Sequence, residues 1–354
     1  MLFNIDADEG SRIVGWVMPD NPAATPSVIV VLPEGREVKV EATINRSEVV
    51  GILQVEFGFY HSTGTIGFVV DETHVPQLQE SQEIELLDGE TRTLIYRRFQ
   101  ISRHIEKRLC YFDLAVMPQR RIIQAISSHF ALTYTYAERY PLETMMMLVK
   151  NASAKSILMM GRPNFIRQRG LLRDAGYVIS ALLRDPYEEL AERLVFVNLL
   201  ASSKASHLLP QLLSDMPALL EFARDLPITD PKAMLLKFRT ASPEQRAAIT
   251  SPMTRVFGCG LGELPEHRHV SLALENLATV DVVGTRARFA DFRSMLKDFL
   301  ETDVIGSAEL ELFDKVKEAR EVLSKIGIVS DLLESDLILY SHASEAIATG
   351  LDGI

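Results

Sequence analysis

An arginine and an aspartate, Arg184 and Asp185, stand where the sequence predicts the end of a buried strand. The run Tyr177 to Leu183 is almost wholly apolar and is soon followed by Pro186, which is typical of a strand covered on both faces of a parallel sheet. Ligands of open α/β sheets bind at the carboxyl ends of the strands, and a guanidinium engages two phosphate oxygens at once. Arg184 is therefore a candidate phosphate ligand, although an Arg-Asp pair that only begins a helix is an equally good interpretation.

Alternating strands and helices must position this pair. Tyr111 to Met117 is predicted as a strand, and Pro118 begins a helix because proline is favoured at the first helical position. Later elements are strands at Ser156 to Met160 and Val280 to Val283 and, after Ala201, mostly helices, one of them over Pro243 to Met253. This pattern predicts an α/β fold with a doubly wound parallel sheet and many C-terminal helices.

Residues 1–100 differ in pattern from residues 101–354, and we interpret the two parts as separate domains. Short runs rich in Val and Ile, separated by turn residues such as Asp88-Gly89, predict a small all-β antiparallel sandwich in the first part. Its predicted strands are Arg12 to Met18, Ser27 to Leu32, Arg36 to Ala42, Thr65 to Asp71, Gln82 to Leu87 and Thr91 to Arg97. The single tryptophan, Trp16, is either a platform for a sugar ring or, more often in such a strand, part of the core.

Composition and charge argue against several classes of function. The 354 residues carry a formal net charge of −11, which argues against broad nucleic-acid binding and against adhesion to an anionic membrane. The amino terminus has no basic region before an apolar stretch, and no apolar run is long enough to span a bilayer. Cys110 and Cys259 lack metal-ligand spacing and are predicted to be reduced core thiols. We therefore expect a cytoplasmic protein with no nucleic-acid partner.

Several segments resemble those of carbohydrate sulfotransferases of the heparan and chondroitin type. YVISALLRDPYEELAER, Tyr177 to Arg193, resembles the strand-RDP-helix segment that holds the 3′-phosphate of the donor, 3′-phosphoadenosine-5′-phosphosulfate. SPMTRVFG at Ser251 to Gly258, LALENLATVDVVGTRARF at Leu272 to Phe289 and LLESDLILYSHA at Leu332 to Ala343 follow in the family's order. The resemblance implies a sulfotransferase-like P-loop fold. In the first part, GWVMPDNP, NRSEVV and TIGFVVD resemble the small β-domain that accompanies some bacterial glycosyltransferases.

The loop that carries the family's chemistry is altered in this chain. In the family, a lysine and backbone amides surround the 5′-phosphosulfate at a helix amino terminus, where the dipole favours anions. The matching segment keeps the proline as Pro118, but Gln119 stands at the lysine position. Arg120 and Arg121 are therefore the candidates for the missing positive charge, which would steady the leaving group during sulfuryl transfer.

Two further positions depart from the family's pattern. Glu192 stands where the family has a phosphate-binding serine, and Gly161-Arg162 stands where it has a Gly-His pair. The usual catalytic base is therefore missing from its place. His129 and Glu138, which follow the first predicted helix, are the candidates for the base. The alternative interpretations are a hydrogen-bonded helix residue for His129 and a solvated surface residue for Glu138.

The other basic residues and the histidines have less specific interpretations. The resemblance implies that Arg184 anchors the 3′-phosphate and that Arg255 helps to bind donor or acceptor. Arg286-Ala287-Arg288 is predicted as an exposed helix face. His267 and His269 have the spacing of a metal pair, but no third ligand stands nearby, so no metal is predicted.

Two hypotheses from different classes follow. The first is a sulfotransferase that transfers the sulfuryl group from the nucleotide donor to a carbohydrate hydroxyl of a surface polysaccharide. The second is a catalytically degenerate member of the same fold that acts as a nucleotide- or glycan-binding scaffold module. The altered loop and the substitutions at Glu192 and Arg162 favour the second, whereas the RDP segment favours a retained ligand. A homo-oligomer is compatible with either, and a kinase-like P-loop enzyme is set aside because the Walker glycines and lysine are missing.

Overall fold

The computed structural model describes residues 1–98, 104–202, 216–228, 230–311 and 313–352. The chain divides into two compact units. The first consists of Met1–Arg108, His129–Tyr134 and Tyr140–Leu158, and the second of Leu109–Ser128, Thr135–Arg139 and Met159–Ile354. The chain therefore enters each unit three times, whereas the sequence interpretation drew one boundary after residue 100.

Two four-stranded antiparallel sheets lie within residues 1–98. Their strands are β1 (Leu2–Asp8), β2 (Arg12–Met18), β3 (Ser27–Val31), β4 (Glu37–Glu41), β5 (Ile44–Asn45), β6 (Thr65–Asp71), β7 (Ile84–Asp88) and β8 (Leu94–Arg98). The sheet orders are β1-β2-β6-β5 and β4-β3-β7-β8, and the pairings are antiparallel. The predicted strands correspond to β2, β3, β4, β6, β7 and β8, while β1 and β5 were not predicted.

Trp16 lies in the core of this unit. Its side chain packs in an apolar cluster with Leu2, Met18 and Ile66, and the residue is only 7% exposed. The core interpretation of the tryptophan is therefore confirmed, and the ring is not a surface platform for a sugar.

A helix corrects the all-β prediction for residues 1–100. Helix α1 (Ser47–Phe57) begins within the segment NRSEVV, which had been interpreted as part of a β-domain motif. Val50 and Leu53 lie three residues apart on one helical face and join the cluster around Trp16. The helix ends at Gly58, whose φ of 72° lies in the left-handed region that glycine adopts without strain.

Five further strands form one parallel sheet, as predicted. They are β9 (Arg108–Asp113), β10 (Leu132–Tyr134), β11 (Ile157–Gly161), β12 (Tyr177–Leu183) and β13 (Val282–Thr285). Their order is β10-β11-β9-β12-β13, so the first strand in sequence is central. The chain adds β10 and β11 on one side of β9 and then crosses to the other side for β12 and β13. Such a reversal is a topological switch point, beside which open α/β sheets bind their ligands.

Strand β9 ends at Asp113 rather than at Met117 as predicted. The Asp113 carboxylate accepts a hydrogen bond from the backbone N–H of Ala115 at 3.0 Å. Aspartate side chains that bond the backbone two residues later form a turn, and this local bond replaces strand pairing. The apolar run Leu114 to Met117 is therefore a loop, which places the carboxyl end of the central strand at a charged residue.

Twelve helices follow α1 in the described part of the chain. They are α2 (Arg120–Ser127), α3 (Leu142–Val149), α4 (Phe165–Asp174), α5 (Pro186–Ala201), α6 (Pro217–Ala223), α7 (Pro231–Arg239), α8 (Pro243–Ile249), α9 (Pro252–Gly258), α10 (His267–Leu277), α11 (Phe289–Leu300), α12 (Asp314–Leu323) and α13 (Gly327–Asp352). Helices α5 to α9 each have proline in the first turn, where its missing N–H is not needed. Along the described ranges, no helix combines the length and apolar character that crossing a membrane requires.

The prediction of a single helix over Pro243 to Met253 is wrong, because α8 and α9 are separate helices. Ser251 lies between them with a φ of 38°, in the left-handed region that interrupts a right-handed helix. One face of α5 is buried, with Leu190 and Leu194 in a cluster formed mainly by residues of other helices. Helix α5 therefore follows β12 in the chain and also packs against other helices.

Gly284 of β13 allows α11 to lie close to the sheet. A Cβ atom at this position would lie 2.6 Å from the Cβ of Phe292, so Gly284→Ala must displace a buried ring. We expect this variant to lose about 1–3 kcal/mol of unfolding free energy. Gly170→Ala in α4 is the matched control: nothing lies within 4 Å of its added Cβ, so it should gain about 0.5–1 kcal/mol. Urea unfolding of both variants checks the pair, and equal effects would contradict this packing.

Candidate functional site

A cleft of about 1060 Å³ lies at the carboxyl ends of β9 and β11. It belongs wholly to the second unit. The start of α2, the short 3₁₀ turn Ala137–Arg139, the end of α5 and the segment before α12 form its other walls. Its polar and aromatic lining includes Asp113, Arg120, Tyr136, Glu138, Arg162 and Glu311. The cleft thus lies beside the central strand, where the topology favours a ligand site.

Asp113 ends the central strand and has an altered acidity. Burial raises the pKa of its carboxyl more than the Ala115 N–H and the charges of Arg184 and Arg162 lower it, so the net shift is upward. A carboxyl with a raised pKa binds a proton more readily than an ordinary aspartate, which suits a group that accepts a proton from a ligand. The sequence did not point to this residue, because the predicted strand Tyr111 to Met117 has Asp113 in its interior.

Glu138 and Arg162 form a largely buried pair in the wall of the cleft. The Arg162 guanidinium lies 2.8 Å from Oε1 of Glu138, and the Arg162 backbone N–H donates to Oε2 at 2.8 Å. Burial alone would raise the pKa of Glu138, but the charge and hydrogen bonds of Arg162 offset it and leave the pKa lowered. Glu138 is therefore a paired, ionised carboxylate and a weaker base than its position suggested, and the solvated surface interpretation is wrong.

Gly161 makes this pair possible. Its φ of 142° lies outside the range that residues with a side chain adopt readily. A Cβ atom there would lie 2.3 Å from Oε2 of Glu138 and 2.6 Å from the backbone nitrogen of Ala137. The glycine at this position thus lets the turn of Glu138 approach the end of β11.

Tyr136 presents an aromatic ring to the cleft. The residue is 36% exposed, and the guanidinium carbon of Arg139 lies 4.3 Å from the ring centre. Its φ of 57° places it in the left-handed region, which is uncommon for a residue with a large side chain. Such backbone conformations gather at binding sites, where the surrounding structure holds them.

Arg184 is buried in an ion network at the ends of β12 and β13. The residue is 3% exposed, and its guanidinium is paired with the Oε2 of Glu192. The other oxygen of Glu192 is paired with Arg286, which also lies 2.9 Å from Glu188. The prediction that Arg286 lies on an exposed helix face is wrong, because its side chain is 6% exposed. Glu192 therefore neutralises the arginine that the resemblance assigned to a phosphate.

The side chain of Gln119 is also occupied within the protein. Its amide oxygen accepts from the backbone N–H of Glu311 at 2.8 Å, and its amide nitrogen lies 3.5 Å from the Glu311 carbonyl oxygen. Arg121 is largely exposed and lies 3.5 Å from the Glu311 carboxylate. Of the predicted loop residues, Pro118 and Arg120 line the cleft. Gln119 instead fixes the segment before α12.

Arg255 and His129 lie outside the cleft lining. Arg255, in α9, lines a smaller pocket of about 290 Å³ that shares Glu138 and Arg162 with the cleft. His129 follows the carboxyl end of α2 and belongs to the first unit. Its carbonyl oxygen accepts from the backbone N–H of Ile105 at 3.0 Å. The predicted site residues that the structure brings together are thus Pro118, Arg120 and Glu138.

Asp336 links two of the segments that carry the resemblance. Its carboxylate accepts from the backbone N–H groups of Met253 and Thr254, at 2.9 and 2.7 Å, and so caps the start of α9. Burial is the main cause that raises the pKa of Asp336, to about 6, despite these hydrogen bonds. The Ser251 backbone N–H also donates to the carbonyl oxygen of Leu332 at 3.1 Å. The α13 segment therefore holds α9 in place.

No protein-family model matches the sequence, and no curated protein is similar to it. Within the residues that the structure describes, no three His, Cys, Asp or Glu side chains converge in a way that would hold a metal ion. The chemistry of the site therefore has to be argued from its own side chains.

Removing the shared carboxylate of Glu192 should destabilise the fold strongly. Glu192→Gln leaves the buried guanidiniums of Arg184 and Arg286 without their common counter-charge, so we expect a loss of about 3–5 kcal/mol. Glu188→Gln is the matched control, because Glu188 is 25% exposed and contacts only Arg286 of this pair. Its loss should stay below about 1 kcal/mol. Denaturant unfolding of the two variants tests the difference, and a mild effect of Glu192→Gln would argue against the network.

Asp336 should make stability depend on pH. A carboxyl whose pKa is raised on folding stabilises the native state when protonated, and this contribution is lost as pH rises from about 4 to the folded value of about 6. The unfolding free energy of the parent protein relative to Asp336→Asn should therefore fall by roughly 2 kcal/mol between about pH 4 and pH 7.5. Urea unfolding at both pH values measures this, and a constant difference would contradict the assignment.

Proposed function

We propose that this chain has a sulfotransferase-like P-loop fold whose donor site is degenerate, and that it binds a polyhydroxylated ligand, a segment of a glycan, in the cleft beside β9. The observation that carries the proposal is the position of Glu192 between Arg184 and Arg286. A 3′-phosphate at Arg184 would have to compete with a buried carboxylate already paired to it. Separating such a pair leaves an uncompensated buried charge, which is costly.

The first loop supports the same conclusion. A phosphosulfate cradle needs a cation at the position of Gln119, but this side chain is 4% exposed and engages the backbone of Glu311. Helix α2 begins at Arg120, and the two cations of its first turn, Arg120 and Arg121, are both exposed. The loop therefore supplies one exposed arginine to the cleft in place of the family's lysine and glycine.

The charge of the cleft also disfavours a nucleotide with two phosphates. Its ionisable lining consists of the acidic Asp113, Glu138 and Glu311 and the basic Arg120 and Arg162. At neutral pH 3′,5′-bisphosphoadenosine carries about four negative charges. A cleft without an excess of cations does not offset that charge, so a neutral ligand fits it better.

The lining of the cleft suits a sugar. A sugar ring presents hydroxyl groups at its edge and C–H groups on its faces. Carboxylate and amide oxygens from Asp113 and Gln124 can accept from hydroxyl groups, and the exposed ring of Tyr136 offers a flat apolar surface with little rotational freedom to lose. Apolar residues such as Phe196 and Phe313 complete the walls.

Sulfuryl transfer to a glycan hydroxyl is the second candidate function. It is favoured by the strand–loop–helix arrangement of β9, Pro118 and α2, and by Arg120 and Asp113 lining one cleft. Arg120 would steady the leaving phosphate, Asp113 would accept the proton of the hydroxyl, and the nucleotide sulfate would be the co-substrate. Under either proposal the partner is a carbohydrate, the antiparallel sheets of the first unit act as an accessory domain, and the protein works in the cytoplasm.

Two ligand classes separate the candidates. On an array of neutral oligosaccharides, we expect binding by the parent protein and its loss in Tyr136→Asn, because asparagine tolerates the left-handed backbone while removing the ring. Tyr60→Asn is the control, since Tyr60 is also an exposed tyrosine but lies outside the cleft. Absence of any bound oligosaccharide would contradict the glycan proposal.

The nucleotide arm uses 3′,5′-bisphosphoadenosine. We expect saturating nucleotide to raise the melting temperature of the parent protein no more than inorganic phosphate does at the same concentration, because a ligand raises it only by binding the folded state. Glu192→Ser restores the family's serine and releases Arg184, so its melting temperature should rise with the nucleotide. A rise in the parent that is lost in Arg120→Met would overturn the proposal in favour of sulfotransferase activity.

A further inference from the structure

A second cavity of about 290 Å³ lies beside the cleft and is lined by three arginines. Arg162 comes from the end of β11, Arg193 from α5 and Arg255 from α9. Glu138 is the acidic residue of the lining, and the rest is mainly apolar. The pocket and the cleft share Glu138 and Arg162 as a common wall. A volume near 300 Å³ is at the lower end of the range for small-ligand sites.

The three guanidiniums differ in their partners. Arg162 is paired with Glu138, and Arg193 is paired with Glu189 four residues earlier on the same helix. Arg255 donates instead to backbone carbonyl oxygens, those of Ala247 and of Thr250. Among the described residues it forms no ion pair with a carboxylate, and its buried Nε has no hydrogen-bond partner. Arg255 is therefore the cation of this pocket whose charge lacks a direct counter-ion.

The arginines also repel one another. Burial lowers the pKa of Arg193 and of Arg255, and the charge of Arg162 lowers that of Arg193 while Arg193 lowers that of Arg255. Arginine stays protonated in proteins despite such effects. The charge of Asp336 raises the pKa of both Arg193 and Arg255, but its carboxylate already accepts hydrogen bonds from two backbone N–H groups of α9. A bound anion would relieve this repulsion.

We propose that this pocket binds a tetrahedral oxyanion, a phosphate or sulfate group, with Arg255 as its principal ligand. Guanidinium donors match the oxygens of such a group, and charge-assisted hydrogen bonds are stronger in a partly buried pocket than in water. The site is distinct from the glycan-binding cleft and does not depend on it. Because the two cavities share the Glu138–Arg162 wall, the oxyanion has two sources: a free anion, or the charged substituent of a sugar.

Titration with inorganic phosphate and with sulfate at constant ionic strength tests the site. We expect calorimetry to detect binding to the parent protein and a weakening of about ten- to hundredfold in Arg255→Met, the effect of losing a charge-assisted hydrogen bond. Arg255→Lys keeps the charge and should weaken binding less. Arg246→Met is the matched control: among the described residues Arg246 likewise donates to backbone carbonyl oxygens and to no carboxylate, its acceptors being Ala241 and Arg239, and it lines neither cavity.

A measurement on the parent protein guards against misfolded variants. Phosphate should shift the NMR signal of the Arg255 Nε–H group, assigned by its disappearance in Arg255→Lys. Absence of binding at high millimolar phosphate and sulfate, or equal binding by Arg255→Met, would overturn the proposal. Tyr136→Asn should bind phosphate as the parent does, so failure of the glycan proposal and failure of this one are distinguishable.

Glucose 6-phosphate and glucose separate the two sources. Tighter binding of the sugar phosphate than of phosphate, with the excess lost in Tyr136→Asn, would support an oxyanion attached to a sugar that reaches the cleft. Equal affinity for glucose 6-phosphate and for inorganic phosphate would support a free anion. If glucose binds as tightly as glucose 6-phosphate, so that the phosphate group contributes nothing, the result would count against the oxyanion site.

Discussion

The shared pairing of Arg184 and Arg286 with Glu192 fixes the carboxyl end of the main sheet. All three side chains are almost fully buried, and taking charges out of water is expensive unless each finds a partner of opposite sign. Arg184 follows β12 and Arg286 follows β13, while Glu192 lies one and a half turns into α5. Their interaction therefore ties two neighbouring strand ends to a helix, and the position of each depends on the other two.

This arrangement decides which charges remain for a ligand. Along the sheet edge, Glu138 pairs with Arg162 and Glu189 pairs with Arg193, so most ionisable groups satisfy one another. Among the described residues that line the two cavities, Asp113 and Arg120 of the cleft and Arg255 of the smaller pocket form no such ion pair. The polar character of the two cavities therefore depends on the ionisable groups that do not belong to these ion pairs.

Sequence patterns predicted the elements better than the contacts between them. The apolar run Tyr177 to Leu183 predicted β12 to the residue, and a helix was expected after the proline where α5 lies, because a buried strand and a proline-led helix have strong local signals. The break at Ser251 could not be read from composition, since a left-handed serine has no distinctive neighbours. Helix α1 was missed because a short helix with valines at its buried positions resembles a strand.

The candidate site was only partly predicted from the sequence. The cleft contains Pro118 and Arg120, which came from the resemblance, and Glu138, which came from its place after the first predicted helix. Arg184, which was placed by the rule that ligands bind at the carboxyl ends of parallel strands, does not line it. Whether Arg184 is available depends on Glu192, eight residues away on a helix, and on Arg286, which is distant in sequence. Spacing along the chain does not reveal such a triple contact. The same limit hid Asp113, whose role follows from where the strand ends.

The threefold entry of the chain into each unit bears on how the protein is made. Segments of the first unit extend to Leu158. Two segments of the second unit interrupt them in the sequence, Leu109–Ser128 and Thr135–Arg139. On a ribosome, the amino-terminal unit cannot be completed until well past the point where its antiparallel sheets have emerged. Nascent chains that must wait for distant segments expose strand edges for longer, which makes them candidates for chaperone assistance during synthesis.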